Sequence, residues 1–187
     1  MEPNMNRKEA GFSLIELVVT LSVMAIILTI ALPSFAAMVQ RSRASSTYHL
    51  LTTSFAAARL QAVKDNAPVT VCPSSDGRTC RDDMIWSNGW ILYQDPGQDD
   101  QPRTADMVIQ RFEGLDDSLQ LRSTAGRKRV RFQSTGWAFG SNLSVRLCHT
   151  GKNESEFLGS VIVNNAGRAR TERQREPTPC PFIAEAG

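Results

Sequence analysis

The sequence predicts an α+β fold: one long N-terminal helix, apolar in its first half and amphipathic in its second, packed on a small antiparallel sheet or sandwich. Three observations carry this. From Leu17 to Val39 run 23 residues without a formal charge. Tyr48, Leu51, Phe55, Ala58 and Ala62 then recur at spacings of three and four, the period of a helix with one buried face. Beyond Pro68 the apolar period shifts to two, in short runs separated by turn residues.

The apolar run would extend ~35 Å as a helix, enough to cross a hydrocarbon core of ~30 Å. Eleven residues precede Phe12 and include Arg7 and Lys8, which favour a cytoplasmic N-terminus. A secretory signal is cut after its apolar core, whereas the Gly11-Phe12 junction lies before it. Glu16 stands at the entrance of the run, four residues from Phe12 on the same helix face. A carboxylate at the edge of a membrane helix costs ~2–3 kcal/mol unless it finds a partner or stays hydrated at headgroup depth. Pro33 removes one backbone hydrogen bond and favours a kink. Arg41, Arg43, Arg59 and Lys64 fall on the other faces of the second half, and Asn66 with Pro68 gives a stop. One helix is therefore expected from Phe12 to about Asp65.

About seven strands follow, expected at 69–72, 90–93, 107–112, 119–122, 129–133, 143–148 and 160–164. With about 55 residues in the helix, roughly 120 remain for the β-rich part, a normal single-domain size. The net charge of +2 identifies no partner. Its distribution is uneven: residues 95–117 hold seven acids against Arg103 and Arg111, and residues 122–131 hold five bases and no acid. A polarised surface is expected.

Cys72, Cys80, Cys148 and Cys180 all follow the apolar run, which places them in an oxidising compartment if the run spans a membrane. Four cysteines allow three connectivities. The expected pairs are Cys72–Cys80, across the Ser74–Thr79 loop, and Cys148–Cys180, tying the C-terminal segment to a strand. A zinc site is the rival, but the close CxxC pairs of structural zinc are absent from the sequence. No GxSxG elbow, HExxH pair or phosphate-cradling glycine loop is present. No enzyme, metal or cofactor is expected. Asp95 to Asp106 lacks the spacing of a calcium loop and reads as a solvated hairpin loop. Trp86, Trp90 and Trp137 read as packing residues rather than a stacking platform.

The remaining chemistry is basic. Arg127, Lys128, Arg129 and Arg131 surround Gly126, and Gly167-Arg168-Ala169-Arg170 is followed by Arg173 and Arg175. Guanidinium forks suit phosphate. On an extended segment Arg168 and Arg170 project to one side ~7 Å apart, near the spacing of successive phosphates on one DNA strand. Such contacts are sequence-independent and salt-sensitive.

The stretch Gly11-Phe12-Ser13-Leu14-Ile15-Glu16 before an apolar helix resembles the leader and N-terminal helix of type IV pilins and pseudopilins. Trp86 with Gly89-Trp90-Ile91-Leu92-Tyr93, Phe132 with Gly136, Val145-Arg146-Leu147-Cys148, and Val161-Ile162-Val163 before Gly167-Arg168 resemble the GspH/FimT group of minor pilins. The resemblance implies a type IV pilin-like fold and cleavage by a prepilin peptidase between Gly11 and Phe12, with N-methylation of Phe12. It further implies an assembly role for Glu16, paired with a neighbouring subunit's N-terminus, and for Pro33. The expected organisation is a leader at 1–11, a transmembrane and filament-core segment at 12–39, the amphipathic half of the helix at 40–66, a GspH/FimT-like domain at 67–176 and a tail at 177–187.

Expected partners are the prepilin peptidase, the major and other minor pilins, the bacterial inner membrane before assembly, and double-stranded DNA. The expected location is a single-pass inner-membrane protein with a periplasmic C-terminal domain, then the pilus. The Gly-Arg-x-Arg element resembles the C-terminal motif of FimT minor pilins, which bind DNA in natural transformation. It implies Arg168 and Arg170 as DNA contacts, with Gly167 in the motif and Lys128, Arg129 and Arg173 as secondary candidates. Glu172 and Glu176 favour an ordinary solvated tail instead. The other functional reading is a structural pseudopilin of a type II secretion system, or a priming minor pilin without DNA binding.

Overall fold

A computed structural model describes residues 13–151 and 155–182. Gly11 and Phe12 lie outside the described residues. Helix α1 spans Leu14–Lys64, close to its expected bounds, and runs through Pro33 without interruption. Its start carries a cap: the Glu16 N–H donates to Ser13 Oγ at 3.2 Å, within a Ser-x-x-Glu pattern. Its end is closed by Asn66 at φ +48°, with Ala67 N–H donating to the Ala62 carbonyl at 3.2 Å and Asn66 N–H to that of Val63 at 3.4 Å. This is a Schellman stop, with asparagine in the left-handed position that glycine usually fills.

The chain divides at Arg43 into two compact units. The first holds the apolar half of α1. Its large side chains, from Leu14 to Met38, are exposed, and its most apolar 18-residue window has a mean hydropathy of 2.5. Among the described residues, α1 is the one helix long and apolar enough to cross a membrane.

The second unit is built on the other half of α1. Tyr48, Leu51, Phe55, Ala58 and Ala62 are all buried, as their spacing predicts, and Ala44, Thr47 and Ser54 join them. The strands are β1 (Val69–Pro73), β2 (Gly89–Gln94), β3 (Val108–Glu113), β4 (Leu119–Ser123), β5 (Val130–Phe132), β6 (Leu143–Thr150), β7 (Ser155–Val163) and β8 (Ala169–Arg173). They form two antiparallel sheets, in the orders β3-β2-β1-β5 and β4-β6-β7-β8. Inward residues of both sheets share one core with the helix: Val69, Val71, Trp90, Leu92 and Phe132 from the first, Leu121, Val145, Leu147, Val161 and Val163 from the second. Trp90 Nε1–H donates to Ser54 Oγ at 3.2 Å, and Trp86 meets Phe55 edge to face at 6.1 Å. The two tryptophans are thus core residues, as expected.

Strand β8 was not among the expected strands. It is an edge strand with one half-buried and four exposed residues, so no apolar alternation betrays it. The disulfides are Cys72–Cys80 and Cys148–Cys180. The second ties a C-terminal strap to the second sheet: Phe157 N–H donates to the Thr178 carbonyl at 2.9 Å and Cys180 N–H to that of Ser155 at 3.1 Å. Phe182 then reaches Arg122, whose guanidinium lies 5.5 Å from the ring centre.

The acidic and basic segments of the expected polarised surface meet in part, through Asp95 and Asp100 with Arg129 and Arg131. Asp95 is buried and not part of a solvated loop. It follows Ile91 and Tyr93 on the outer face of the first sheet, where Arg131 Nε donates to its Oδ2 at 2.8 Å, Thr70 Oγ1 to the same oxygen at 2.7 Å, and Asp99 N–H to its Oδ1 at 2.8 Å. Arg131 also reaches Asp100 at 3.1 Å. These bonds satisfy a carboxylate whose burial would otherwise be costly. Arg131→Ala is expected to cost ~3 kcal/mol in urea unfolding, since it strands a buried charge. Arg103→Ala, which breaks an exposed pair with Asp99, should leave the midpoint unchanged.

Within the Cys72–Cys80 ring, Asp76 accepts from the Thr79 N–H at 2.9 Å, the Arg78 N–H at 2.8 Å and the Thr79 hydroxyl at 2.7 Å. These bonds, led by the Thr79 N–H, hold its carboxyl well below the usual carboxylate range. A folded pKa below the unfolded one makes its contribution complete above the ordinary value of 3.8 and lost as pH falls beneath it. Thermal unfolding followed from pH 6 to pH 2 should therefore decline only below about pH 4, and Asp76→Asn should flatten part of that decline.

Candidate functional site

The turn before β8 is held by Gly167 N–H to the Asn164 carbonyl at 2.8 Å, Asn164 N–H to the Arg168 carbonyl at 3.2 Å, and Arg168 N–H to Asn164 Oδ1 at 3.0 Å. Strand alternation then sorts the side chains. Thr171 and Arg173 face α1: Thr171 Oγ1 lies 3.4 Å from Thr52 Oγ1, and Arg173 donates to Ser45 Oγ at 3.2 Å with its guanidinium 5.8 Å from the Tyr48 ring centre. Burial pushes the Tyr48 phenol above its ordinary range, so it stays neutral beneath that cation. Arg168, Arg170 and Glu172 share the opposite, outward side. Arg170 pairs with Glu172 at 2.8 Å, both exposed. Arg168 is exposed and has no ion-pair partner among the described residues.

Cross-strand register adds two bases that sequence reading missed. Arg122, Arg146, Ser160 and Glu172 form one row across the second sheet; Ser144, Ile162 and Arg170 form the next. Arg146, half-buried, lines a groove with Ser144, Ser160 and Ile162, bounded by the strap at Thr178 and Pro179. Both arginines occupy outward positions of alternating strands. That signal was present in the sequence, but only pairing places them on the same sheet face as Arg170, one row away and across β7.

The other basic cluster is engaged. Lys128 Nζ lies 2.7 Å from Asp82 Oδ1, and Arg129 lies 3.0 Å from Asp100 and 3.9 Å from Asp82. The hydrogen bond from Lys128 lowers the Asp82 carboxyl below its ordinary value, so the pair is charged at neutral pH. Lys128, Arg129 and Arg173 thus differ from Arg168 in having partners within the chain.

Gly167 has a structural task. Its φ is +72°, and a Cβ there would sit 2.1 Å from the Gly136 carbonyl oxygen. That oxygen accepts from Arg59 Nε at 2.9 Å, and Ala138 N–H donates to the Asn165 carbonyl at 2.9 Å. The missing side chain therefore admits the 133–141 loop and not a ligand. On that loop Trp137 departs from the packing role expected of it: it is 43% exposed and stacked on Phe139.

The sequence matches the family model of type II transport protein GspH over residues 48–167, and the prokaryotic N-terminal methylation motif over residues 6–32. The chain belongs to the GspH family. No curated protein matches it. The type IV minor pilin FimU of Pseudomonas aeruginosa shares its fold at a TM-score of 0.54 and 14% identity, over 75% of this chain and 96% of that one. The minor pseudopilin EpsH from the Type 2 Secretion System of Vibrio cholerae does so at 0.50 and 13%, over 72% and 99%. This GspH-family chain is a minor pilin or pseudopilin, and its methylation motif implies prepilin processing and assembly with other pilins. Its family is structural. The GspH match ends at Gly167, so Arg168 and Arg170 lie just beyond the residues that establish the family.

Gly167→Ala is expected to destabilise by ~2–3 kcal/mol in urea unfolding, since the added Cβ meets backbone in a left-handed conformation. Gly126→Ala is the control: its φ is +75° but its Cβ would meet nothing within 4 Å, so only ~1 kcal/mol is expected.

Proposed function

We propose that the protein is a minor type IV pilin that is cut between Gly11 and Phe12, N-methylated on Phe12 and assembled into a type IV pilus. There it binds double-stranded DNA non-specifically through Arg168 and Arg170 during uptake in natural transformation. Before assembly it is a single-pass protein of the bacterial inner membrane with its C-terminal domain in the periplasm. Glu16 then pairs with the N-terminal amine of a neighbouring subunit, which offsets the burial of its carboxylate in the filament.

The observation that supports DNA contact is the outward placement of Arg168 and Arg170 on one side of β8, with Arg146 two strands away on the same sheet face. Arg168 retains an uncommitted guanidinium among the described residues, and a surface pair such as Arg170–Glu172 is weak enough for phosphate to displace the glutamate. Lys128, Arg129 and Arg173 act only secondarily, since each would first have to leave a partner. The competing reading is a structural pseudopilin of a type II secretion system, or a priming pilin. The Arg170–Glu172 pair favours it, and EpsH is such a pseudopilin.

Titration of a fluorescent 30-bp duplex with the full-length chain in non-ionic detergent separates the two. Micromolar or weaker binding is expected, falling steeply between 50 and 200 mM salt. Arg168→Ala with Arg170→Ala should weaken it and reduce the slope of log K against log salt by about 2. No binding at 50 mM salt would leave the structural reading.

A further inference from the structure

Trp137 and Phe139 stack with ring centres 4.8 Å apart and planes 6° from parallel, yet they are 43% and 61% exposed. Their loop holds them there. Ala138 between them is fully buried, and both neighbours stand outward. Gln133 N–H donates to the Trp137 carbonyl at 2.8 Å, Gly136 N–H to that of Gln133 at 2.7 Å, and Ser141 N–H to that of Ala138 at 3.1 Å. The rings are thus presented on a braced backbone, which reduces the ordering a ligand would impose.

The pair is also flanked by cations. On one side the loop is clasped to the 164–167 turn, whose next residue is Arg168. On the other, Arg127 donates to the Gly140 carbonyl at 2.7 Å and is itself exposed. Parallel exposed rings on a loop whose neighbouring segments carry arginines suit a ligand that alternates flat faces with anions. A nucleic-acid strand with unpaired bases is such a ligand: aromatic faces take the bases and arginines the phosphates. Intact duplex is not, because its base faces are already stacked on one another.

We infer that Trp137 and Phe139 are a base-stacking platform, and that the site takes single-stranded DNA, or duplex with frayed ends, in preference to blunt duplex. This rests on the proposed DNA contact and specifies its substrate. Phe139, the more exposed ring, presents the face on which a base continues the stack.

Trp86 and Trp90 are fully buried and out of reach of a stacking base, so a change in tryptophan emission on binding that is lost in Trp137→Phe reports Trp137. The full-length chain in detergent is titrated with a 20-nucleotide oligothymidine and with a blunt 20-bp duplex. The single strand should bind about tenfold more tightly and quench emission. Trp137→Ala with Phe139→Ala should lose about that factor on the single strand and change duplex binding less than twofold. Trp137→Phe, which keeps a ring, should retain the preference, and unchanged thermal unfolding shows that the variants are folded.

Equal affinity for the two DNAs, or a double alanine variant that still prefers the single strand, overturns the platform and leaves the pair to a protein contact. If Arg168→Ala with Arg170→Ala still weakens duplex binding in that case, the proposed function stands without the platform. Failure of the wild-type chain to bind either DNA removes both. Ring-dependent single-strand binding that ignores the arginine changes removes the arginine reading alone.

Discussion

The second unit depends on one contact: the face of α1 formed by Tyr48, Leu51, Phe55, Ala58 and Ala62, buried against two sheets at once. Leu51 and Phe55 each contribute ~1.5–3 kcal/mol by leaving water. The alanines matter for their small size, since they let strands approach the helix closely. Ser54 is the polar member of this face, and it satisfies the Trp90 indole. Both sheets are turned by the same face, because their inward residues must meet it. Their outer faces then become available for other work.

Those outer faces differ. On the first sheet, Arg131 and Asp95 form a buried pair, and Arg129, Lys128, Asp82 and Asp100 extend it toward solvent. Part of the uneven charge of the sequence is used there as internal structure. On the second sheet, the strap carrying Cys180 and Phe182 covers Arg122, while Arg146, Arg170 and Arg168 remain toward the open end. The asymmetry between the sheets, and not the net charge, decides which cations are engaged within the chain.

The two candidate features are joined through backbone. Gly167 sits so close to the Gly136 carbonyl that it tolerates no side chain without displacement, and Arg59 from α1 holds that carbonyl. The turn leading into β8 and the aromatic loop are therefore positioned together, by the same helix that organises the core. A motif of four residues near the C-terminus acquires its geometry from residues 30 to 110 positions earlier.

The sequence by itself determined the extent of α1, its buried face and most strands, because apolar periodicity reports burial locally. It also determined the two cysteine pairs expected for an oxidising compartment, and the family. Tertiary structure decided what depends on register and on which loop covers which face. The burial of Asp95, the inward side of Arg173, the partners of Lys128 and Arg129, the row joining Arg122 to Arg146, and the exposure of Trp137 are all of this kind. Strand β8 escaped because an exposed, charged edge strand buries too little to leave a period. A side chain's chemistry is written in the sequence, but whether it is already engaged is a matter of contacts between distant segments.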